Sequence, residues 1–474
     1  MLRHLSIYFA IRLMNGLVAL IALVVLTRLM DATQYGRYAL GMAAISIGST
    51  VLFQWLNVGV ARFYPARARE PALLLSTSIH VFKLIAGVAA ALVALFLAVK
   101  TAANVVPQAS VALTLAVLAG AVGMGLLNLH LQIVNARGEP QRYGLITATR
   151  AAATLIAAVL IVKAGLGADA AVAATAVGSL LAVLCFGARW QQATPARDPA
   201  LQTELVRYGL PLSLTYVSVV VVDVSDRFLL AWWSGAAAVG GYAAAYDLAQ
   251  QTAGALLNVF FLAHYPRVTT AWEAGGAAAA RAAMTPLAHG LLLVAPLVCG
   301  GFIGLAPEIA AVMFGPALRE GAATVMPWIA VAVTLGALRA FLFDIAFHVT
   351  KASLVQLRVI GAMALANLAL NVVLIPRYGA LGAAVSAALA CALGTAASAW
   401  WGRVAGIYPP MLGNLLKALL VTAVTAAVLR ATHTLGADFL GLGLRGLAGL
   451  LVFALSALLT NLAGCRGLVS RLRL

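Results

Sequence analysis

Eight charged side chains stand inside stretches of this 474-residue chain that are otherwise continuously apolar, and they are the groups with which it could do chemistry. Four are arginines, Arg12, Arg150, Arg227 and Arg339, and four are aspartates, Asp223, Asp226, Asp247 and Asp344. A charge at the centre of a bilayer costs at least about 3 kcal/mol, so each of these should face a wet cavity or a partner. Arginine stays ionised in such surroundings, and its planar fork matches the oxygens of phosphates and carboxylates. A buried carboxylate can instead be tuned by desolvation to bind a proton or a sodium ion, which makes Asp247 and Asp344 candidates for coupling to an ion gradient.

Local spacing supplies a structural reading beside each chemical one. Arg227 follows Asp223 by four residues and sits next to Asp226, so an ion pair within one helix competes with a cavity role. Arg28, sixteen residues after Arg12 near the far end of the same helix, reads as a side chain snorkelling to headgroups. Arg339 and Asp344 are five apart, which does not stack on one α-helical face, so each is expected to find its partner on another helix. Asp247 with Gln250 and Gln251 forms a polar patch that serves either a cavity or helix packing. His80, His130 and His348 fall at expected cytoplasmic span ends, His289 opens a span, and Pro296 should kink one. Glu308, Arg319 and Glu320 read as a solvated loop face. No GxxxxGK[ST] loop is present, and Cys185, Cys299, Cys391 and Cys465 form neither a CxxC pair nor a disulfide framework.

The elements that must hold these groups are transmembrane helices. Hydrophobic residues make up 63% of the chain and charged ones 9%, with a mean hydropathy of +1.00, against about a quarter charged in a soluble protein. Continuous apolar runs exclude a transmembrane β-barrel, whose strands alternate. Runs of about 20 residues give spans near 8–29, 39–60, 79–99, 111–132, 146–163, 170–188, 209–231, 240–262, 287–306, 324–347, 356–375, 381–401, 414–430 and 445–463. This is an all-α polytopic membrane protein with about fourteen helices, its first span a retained helix rather than a cleaved signal.

With 31 Lys and Arg against 14 Asp and Glu, the net charge is +17. Placing both termini in the cytoplasm puts roughly nineteen basic residues in inward loops and eight, Arg445 among them, in outward ones. That bias accounts for the charge without a nucleic-acid partner. The longest outward loop, 307–323, is the size of one short amphipathic helix, too small to fold as a domain.

The chain also repeats itself. LTRLMDATQYGRYAL at 26–40 matches DRFLLAWWSGAAAVGGYAAAY at 226–246, each with an arginine ending one span and Gly-x-Tyr opening the next. LIVKAG at 160–165 matches LIPRYG at 374–379. Both offsets are roughly 200 residues, about six helices, so the copies share one orientation, as in transporters built from parallel repeats. The expected organisation is a six-helix lobe over 1–190, a cytoplasmic linker over 191–207, a second lobe over 208–403, and two extra helices with a basic tail over 404–474.

The segments RLMNGLVALIALVVLTRLMDATQYGRYAL, YGLPLSLTYVSVVVVDVSDRFLLAWWSGAAAVGGYAAAYDLAQ, YPRV at 265–268 and NLALNVVLIPRYGALGAA at 367–384 resemble the polysaccharide-transport family of the multidrug/oligosaccharidyl-lipid/polysaccharide exporters, the Wzx-type flippases. The resemblance implies a V-shaped pair of lobes that passes undecaprenyl-pyrophosphate-linked oligosaccharide from the cytoplasmic to the periplasmic leaflet of a bacterial inner membrane, for O-antigen, capsule or exopolysaccharide. It implies alternating access through a basic cavity between the lobes, a monomeric transport unit, no cofactor, and a polysaccharide polymerase and chain-length machinery as partners. Under it Arg12, Arg150 and Arg339, then Arg227, are the cavity cations for pyrophosphate, and Tyr38, Trp55, Tyr242 and Tyr246 are sugar-contact candidates. Flipping of a peptidoglycan precursor, or export of drugs and cations, are the neighbouring alternatives. Intramembrane arginines argue against a cationic cargo. A membrane polymerase or ligase would need a sizeable outward loop with paired catalytic groups, and none is evident.

Overall fold

The computed structural model describes residues 2–67, 71–103, 111–187, 198–432 and 439–467. Among them there are only helices and turns, as the continuous apolar runs require: in hydrocarbon each backbone amide must find its carbonyl within its own segment. The helices are α1 (Leu2–Leu29), α2 (Ala32–Phe63), α3 (Ala72–Ala103), α4 (Val111–Ala136), α5 (Pro140–Lys163), α6 (Gly167–Ala171), α7 (Ala174–Phe186), α8 (Pro199–Ala249), α9 (Ala255–Gly304), α10 (Ala306–Met313), α11 (Pro316–Leu338), α12 (Ile345–Val349), α13 (Ser353–Val404), α14 (Leu412–Ala431) and α15 (Phe439–Thr460).

Three of these are too long to be single spans. The 52 residues of α13 would reach about 78 Å at 1.5 Å each, against a hydrocarbon core of about 30 Å. The helix reverses at Gly379, whose φ of 56° and ψ of −131° lie where a Cβ would be strained. Gly235 breaks α8 and the pair Gly275–Gly276 breaks α9 in the same way, and the end of α8 runs on into the start of α9 as one crossing. With these reversals counted, and α6 joined to α7, the described helices make fourteen membrane-length segments, as expected. Gly165 and Gly379, which end the two copies of the LIVKAG/LIPRYG match, both have positive φ. The repeated glycine is therefore the turn that ends a span.

The chain divides into two compact units, Met1–Arg227 and Phe228–Leu474. Residues 208–227, expected to open the second lobe, fall in the first unit. The expected linker spans 191–207. Its residues 191–197 lie outside the described residues, but Asp198 accepts from the amides of Ala200 and Leu201 and starts α8, whose first turns bury Leu201 and Leu205. That is an N-cap followed by an apolar i, i+4 pair, which folds as helix.

Within the first unit α2 packs on α4, α4 on α7, α7 on α5, and α5 on α1. The seams are made by small residues, as bilayers favour. A Cβ on Gly125 would overlap the Phe53 ring, and one on Gly178 would overlap Thr154 and the Arg150 carbonyl. Asp31 caps α2 in a box with Gln34, and Arg37 of α2 pairs with Asp169 of α6 at the same end. At the opposite end Arg67 pairs with Glu204 at 3.1 Å, Arg137 donates to the Tyr64 hydroxyl at 2.7 Å, and Arg142 donates to the carbonyls of Phe186 and Gly187. These basic residues, which the sequence presents as loop charge, lock helix ends together.

In the second unit α11 packs on α13 and α9, and α14 lies between α9 and α15. One expectation fails here. Glu308, expected on a solvated loop face, is 7% exposed, and Arg445, expected as an outward loop charge, is 1% exposed. The two form a buried ion pair between α10 and α15, and Arg445 also donates to the Leu429 carbonyl of α14 at 2.8 Å. The loop 307–323 is likewise two helical pieces, α10 and the start of α11, rather than one amphipathic helix. Arg319 donates to the Phe314 carbonyl where they join, and both Arg319 and Glu320 are exposed, as a solvated face requires.

Removing one partner of a buried pair leaves a bare charge, which typically costs about 3 kcal/mol or more. Glu308→Gln should accordingly lower the Tm of the purified chain and loosen α15, whereas Glu308→Leu with Arg445→Met should recover most of the loss. Thermal unfolding of the two variants in one detergent checks this.

Candidate functional site

The mid-helix arginines differ in what surrounds them. Arg150 is the eleventh of the 24 residues of α5, about 15 Å in from its start at Pro140, hence near the middle of that helix. It is half-buried, its Nε is buried without a hydrogen-bond partner, and it is in no ion pair among the described residues. It lies within electrostatic range of Tyr38 on α2. One turn on, the Thr154 hydroxyl is also buried and unpartnered, as is Ser179 beside Gly178 on the facing helix α7. Buried donors and acceptors of this kind are normally paired; Thr154 lies in the α5–α7 seam against Gly178, whereas Ser179 faces Gly123 of α4.

Arg12 adds to this region by its position. It is the eleventh residue of α1, and α1 packs on α5 and runs parallel to it, both being odd-numbered crossings. Arg12 and Arg150 therefore lie on adjacent helices, each eleven residues into its own. The Arg12 side chain lies outside the described residues.

Arg339 has a different environment. It is 8% exposed and its Nη1 contacts Asp344 Oδ2 at 2.5 Å, while Ser398 of α13 donates to Asp344 Oδ1 at 2.8 Å. This corrects the expectation that the two residues, five apart, need partners on other helices. In an α-helix five residues leave side chains about 140° apart. Here residues Arg339–Phe343 form a π-helical turn in which the Asp344 amide donates to the Arg339 carbonyl at 2.7 Å. An i→i+5 bond stacks residues five apart, and the pair meets within one chain segment. At the end of the turn the Tyr408 hydroxyl, from the loop between α13 and α14, donates to the Phe343 carbonyl. Burial, then the nearby Asp344, pushes this hydroxyl up from its usual range, so it remains a donor.

Asp223 is exposed, whereas Asp226 and Arg227 are buried neighbours on α8. Asp247 is half-buried on α8 just before a second π-helical turn, Gln250–Gly254, with Gln250 and Gln251 exposed. Of the aromatic candidates, Tyr242 is 1% exposed and stacks on the half-buried Tyr246 at 6.2 Å. Tyr38 is half-buried beside Tyr35, and Trp55 packs against the apolar core of the first unit. Sequence reasoning misses Ser398, Tyr408, Thr154 and Ser179, and misses the pairing of Glu308 with Arg445. Polar residues inside apolar runs are the only available signal, and small hydroxyls are too common there to stand out.

A family model described as "polysaccharide biosynthesis protein" matches residues 1–272. No curated protein matches. Among solved structures, the chain is similar to the lipid II flippase MurJ in an inward closed conformation, with a TM-score of 0.76, 13% identity, and 98% and 99% of the two chains covered. It is similar to an inward-facing multidrug resistance MATE transporter of the MOP superfamily, with a TM-score of 0.68, 14% identity, and 84% and 97% coverage. A mutant of a Vibrio cholerae MATE transporter matches at a TM-score of 0.56 and 16% identity over 86% and 97%. At these identities the likeness is one of fold.

The contrast between the two arginines is measurable as stability. Arg150→Gln should leave the unfolding free energy within about 1 kcal/mol of wild type or raise it, since no buried partner is abandoned. Arg339→Gln should destabilise by about 3 kcal/mol, since Asp344 would be left buried and charged. Parallel thermal melts of the two variants check the assignment.

Proposed function

We propose that this chain, which belongs to the polysaccharide biosynthesis protein family, translocates an undecaprenyl-pyrophosphate-linked oligosaccharide to the outer leaflet for surface polysaccharide synthesis. It is a multi-pass membrane protein with the fold of MOP-superfamily flippases and transporters. The observation that carries the reading is Arg150, a mid-span guanidinium that no carboxylate neutralises among the described residues.

A pyrophosphate headgroup carries about two negative charges, and neither it nor the sugar hydroxyls enters hydrocarbon without several kcal/mol of desolvation. The uncompensated arginine and the headgroup have complementary problems. Together they form charge-assisted, bidentate hydrogen bonds that lower the cost of both in a low-dielectric setting. Arg12, on the neighbouring helix α1, supplies a second positive charge. Thr154, one turn on, and the half-buried Tyr38 offer hydroxyls for phosphate oxygens or sugars. Tyr246 is a further aromatic surface, while Arg339 begins neutralised by Asp344. The polyprenyl tail, being apolar, stays in lipid.

Alternating access between inward-open and outward-open states would move the headgroup. Asp247 and Asp344 remain the two carboxylates suited to coupling to a proton or sodium ion, and Asp344 is already held by Arg339 and Ser398. The excess of basic residues in inward loops supports an inner-membrane orientation with both termini cytoplasmic. Flipping of a peptidoglycan precursor would use the same pyrophosphate chemistry; the family match favours polysaccharide.

Cells lacking this chain should accumulate lipid-linked oligosaccharide on the cytoplasmic leaflet and lose surface polymer. Arg150→Gln, expressed at normal levels, should reproduce that loss with transport down at least about tenfold, and Arg150→Lys should retain part of it. Leaflet-resolved labelling of the lipid-linked sugar reads both. Normal export by Arg150→Gln overturns the cation assignment, and repeat units that reach the outer leaflet unpolymerised in the deletion favour a polymerase instead.

A further inference from the structure

The Arg339–Asp344 pair and the π-helical turn that joins them depend on each other. The pair exists only because five residues separate its members in an i→i+5 turn; converted to α-helix, the same turn places them about 140° apart. The turn in turn is held at its end by the Tyr408 hydroxyl on the Phe343 carbonyl, and from the side by Ser398 on Asp344.

We propose that the Arg339–Phe343 turn is a two-register latch. In the π register it holds Arg339 on Asp344, and in the α register it releases the guanidinium to a second anion site that takes a pyrophosphate-type headgroup. The ligand class rests on the function proposed above; the mechanics of the latch do not.

Three further features fit this behaviour. Asp344 engages a single Nη donor of Arg339, and the Arg339 Nε is buried with no hydrogen-bond partner. The fork is thus half used, and a ligand with several oxygens can satisfy both donors where the carboxylate satisfies one. Next, Gly394 of α13 admits the Met363 side chain beside the arginine stem: a Cβ there would stand 2.5 Å from Met363 Sδ and 3.3 Å from Arg339 Cδ, so the stem packs on a flexible methionine rather than on a fixed side chain of α13. Last, the ring of Tyr408 fits only because residue 402 is glycine, since a Cβ on Gly402 would overlap it. The element that closes the latch is therefore a loop side chain seated in a notch, able to leave without unfolding a helix. Local π-turns interconvert with α-helix by shifting one residue, a small motion that nonetheless reorients everything on one face.

The test uses the full chain in nanodiscs with inorganic pyrophosphate as the probe, read by calorimetry, and hydrogen–deuterium exchange across residues 335–350. Asp344→Asn removes the competing charge and should tighten pyrophosphate binding by about tenfold; adding Arg339→Gln should abolish that gain. Tyr408→Phe and Gly402→Ala should both speed exchange of the amides at 339–344 and tighten pyrophosphate binding, by less. If Asp344→Asn, folded at the temperature of the titration though lower in Tm, binds no more tightly than wild type, or if the gain survives Arg339→Gln, the latch is wrong. Unchanged exchange in both Tyr408→Phe and Gly402→Ala also overturns it. Arg150→Gln measured alongside separates the two readings. Loss of wild-type binding in Arg150→Gln with no gain from Asp344→Asn sinks the latch alone. Wild-type binding that survives Arg150→Gln, with the Asp344→Asn gain intact, sinks the Arg150 assignment and leaves the latch standing.

Discussion

Hydrocarbon does not tolerate a charge without compensation, and this one constraint sorts nearly every polar residue of the protein. Where a carboxylate and a cation are both buried they have found each other: Arg339 with Asp344, and Glu308 with Arg445. Where helix ends approach water, arginines spend their donors on exposed carbonyls, as Arg142 does on Phe186 and Gly187. Against that pattern a half-buried Arg150 in the middle of α5, without a partner among the described residues, is an exception, and it is the residue we propose for the anionic headgroup.

The same constraint explains two structural irregularities. An α-helix cannot bring Arg339 onto Asp344, so the helix departs from α geometry at that turn, and Tyr408 supplies the donor to the Phe343 carbonyl. The stabilisation from pairing two buried charges offsets the poorer hydrogen bonding of a π-turn. In the second unit α10 and α15 are likewise held by an ion pair, and α15 to α14 by the Arg445 bond to the Leu429 carbonyl, rather than by apolar contact alone, because lipid tails compete equally well for apolar faces and packing by itself discriminates poorly in a membrane.

Hydropathy makes the helices legible because the bilayer sets both their length and their composition. The fourteen crossings, the turn glycine at the end of the LIVKAG and LIPRYG segments, and the cap at Asp31 all follow from local residue chemistry. The misreadings share a cause as well. Treating Arg339 and Asp344 as α-helical assumes a period that the pair itself alters. Treating Glu308 and Arg445 as loop charge assumes that residues outside apolar runs meet water, whereas a short helix folds them against α14. The two partners lie 137 residues apart in sequence, and no local pattern links them. Reading 198–207 as linker overlooks that Asp198 with Leu201 and Leu205 is a capped, amphipathic start. Arg150 is visible as one of four arginines, but what separates it from Arg339 is the absence of a nearby carboxylate, a property of tertiary structure.

The account turns on where the anionic headgroup is held. A cryo-EM structure of the full chain in nanodiscs with undecaprenyl pyrophosphate measures this directly. We expect density for the two phosphates within hydrogen-bond distance of the Arg150 guanidinium, between α1 and α5. Phosphates seated elsewhere, with the Arg150 fork turned to a protein carboxylate, would contradict it.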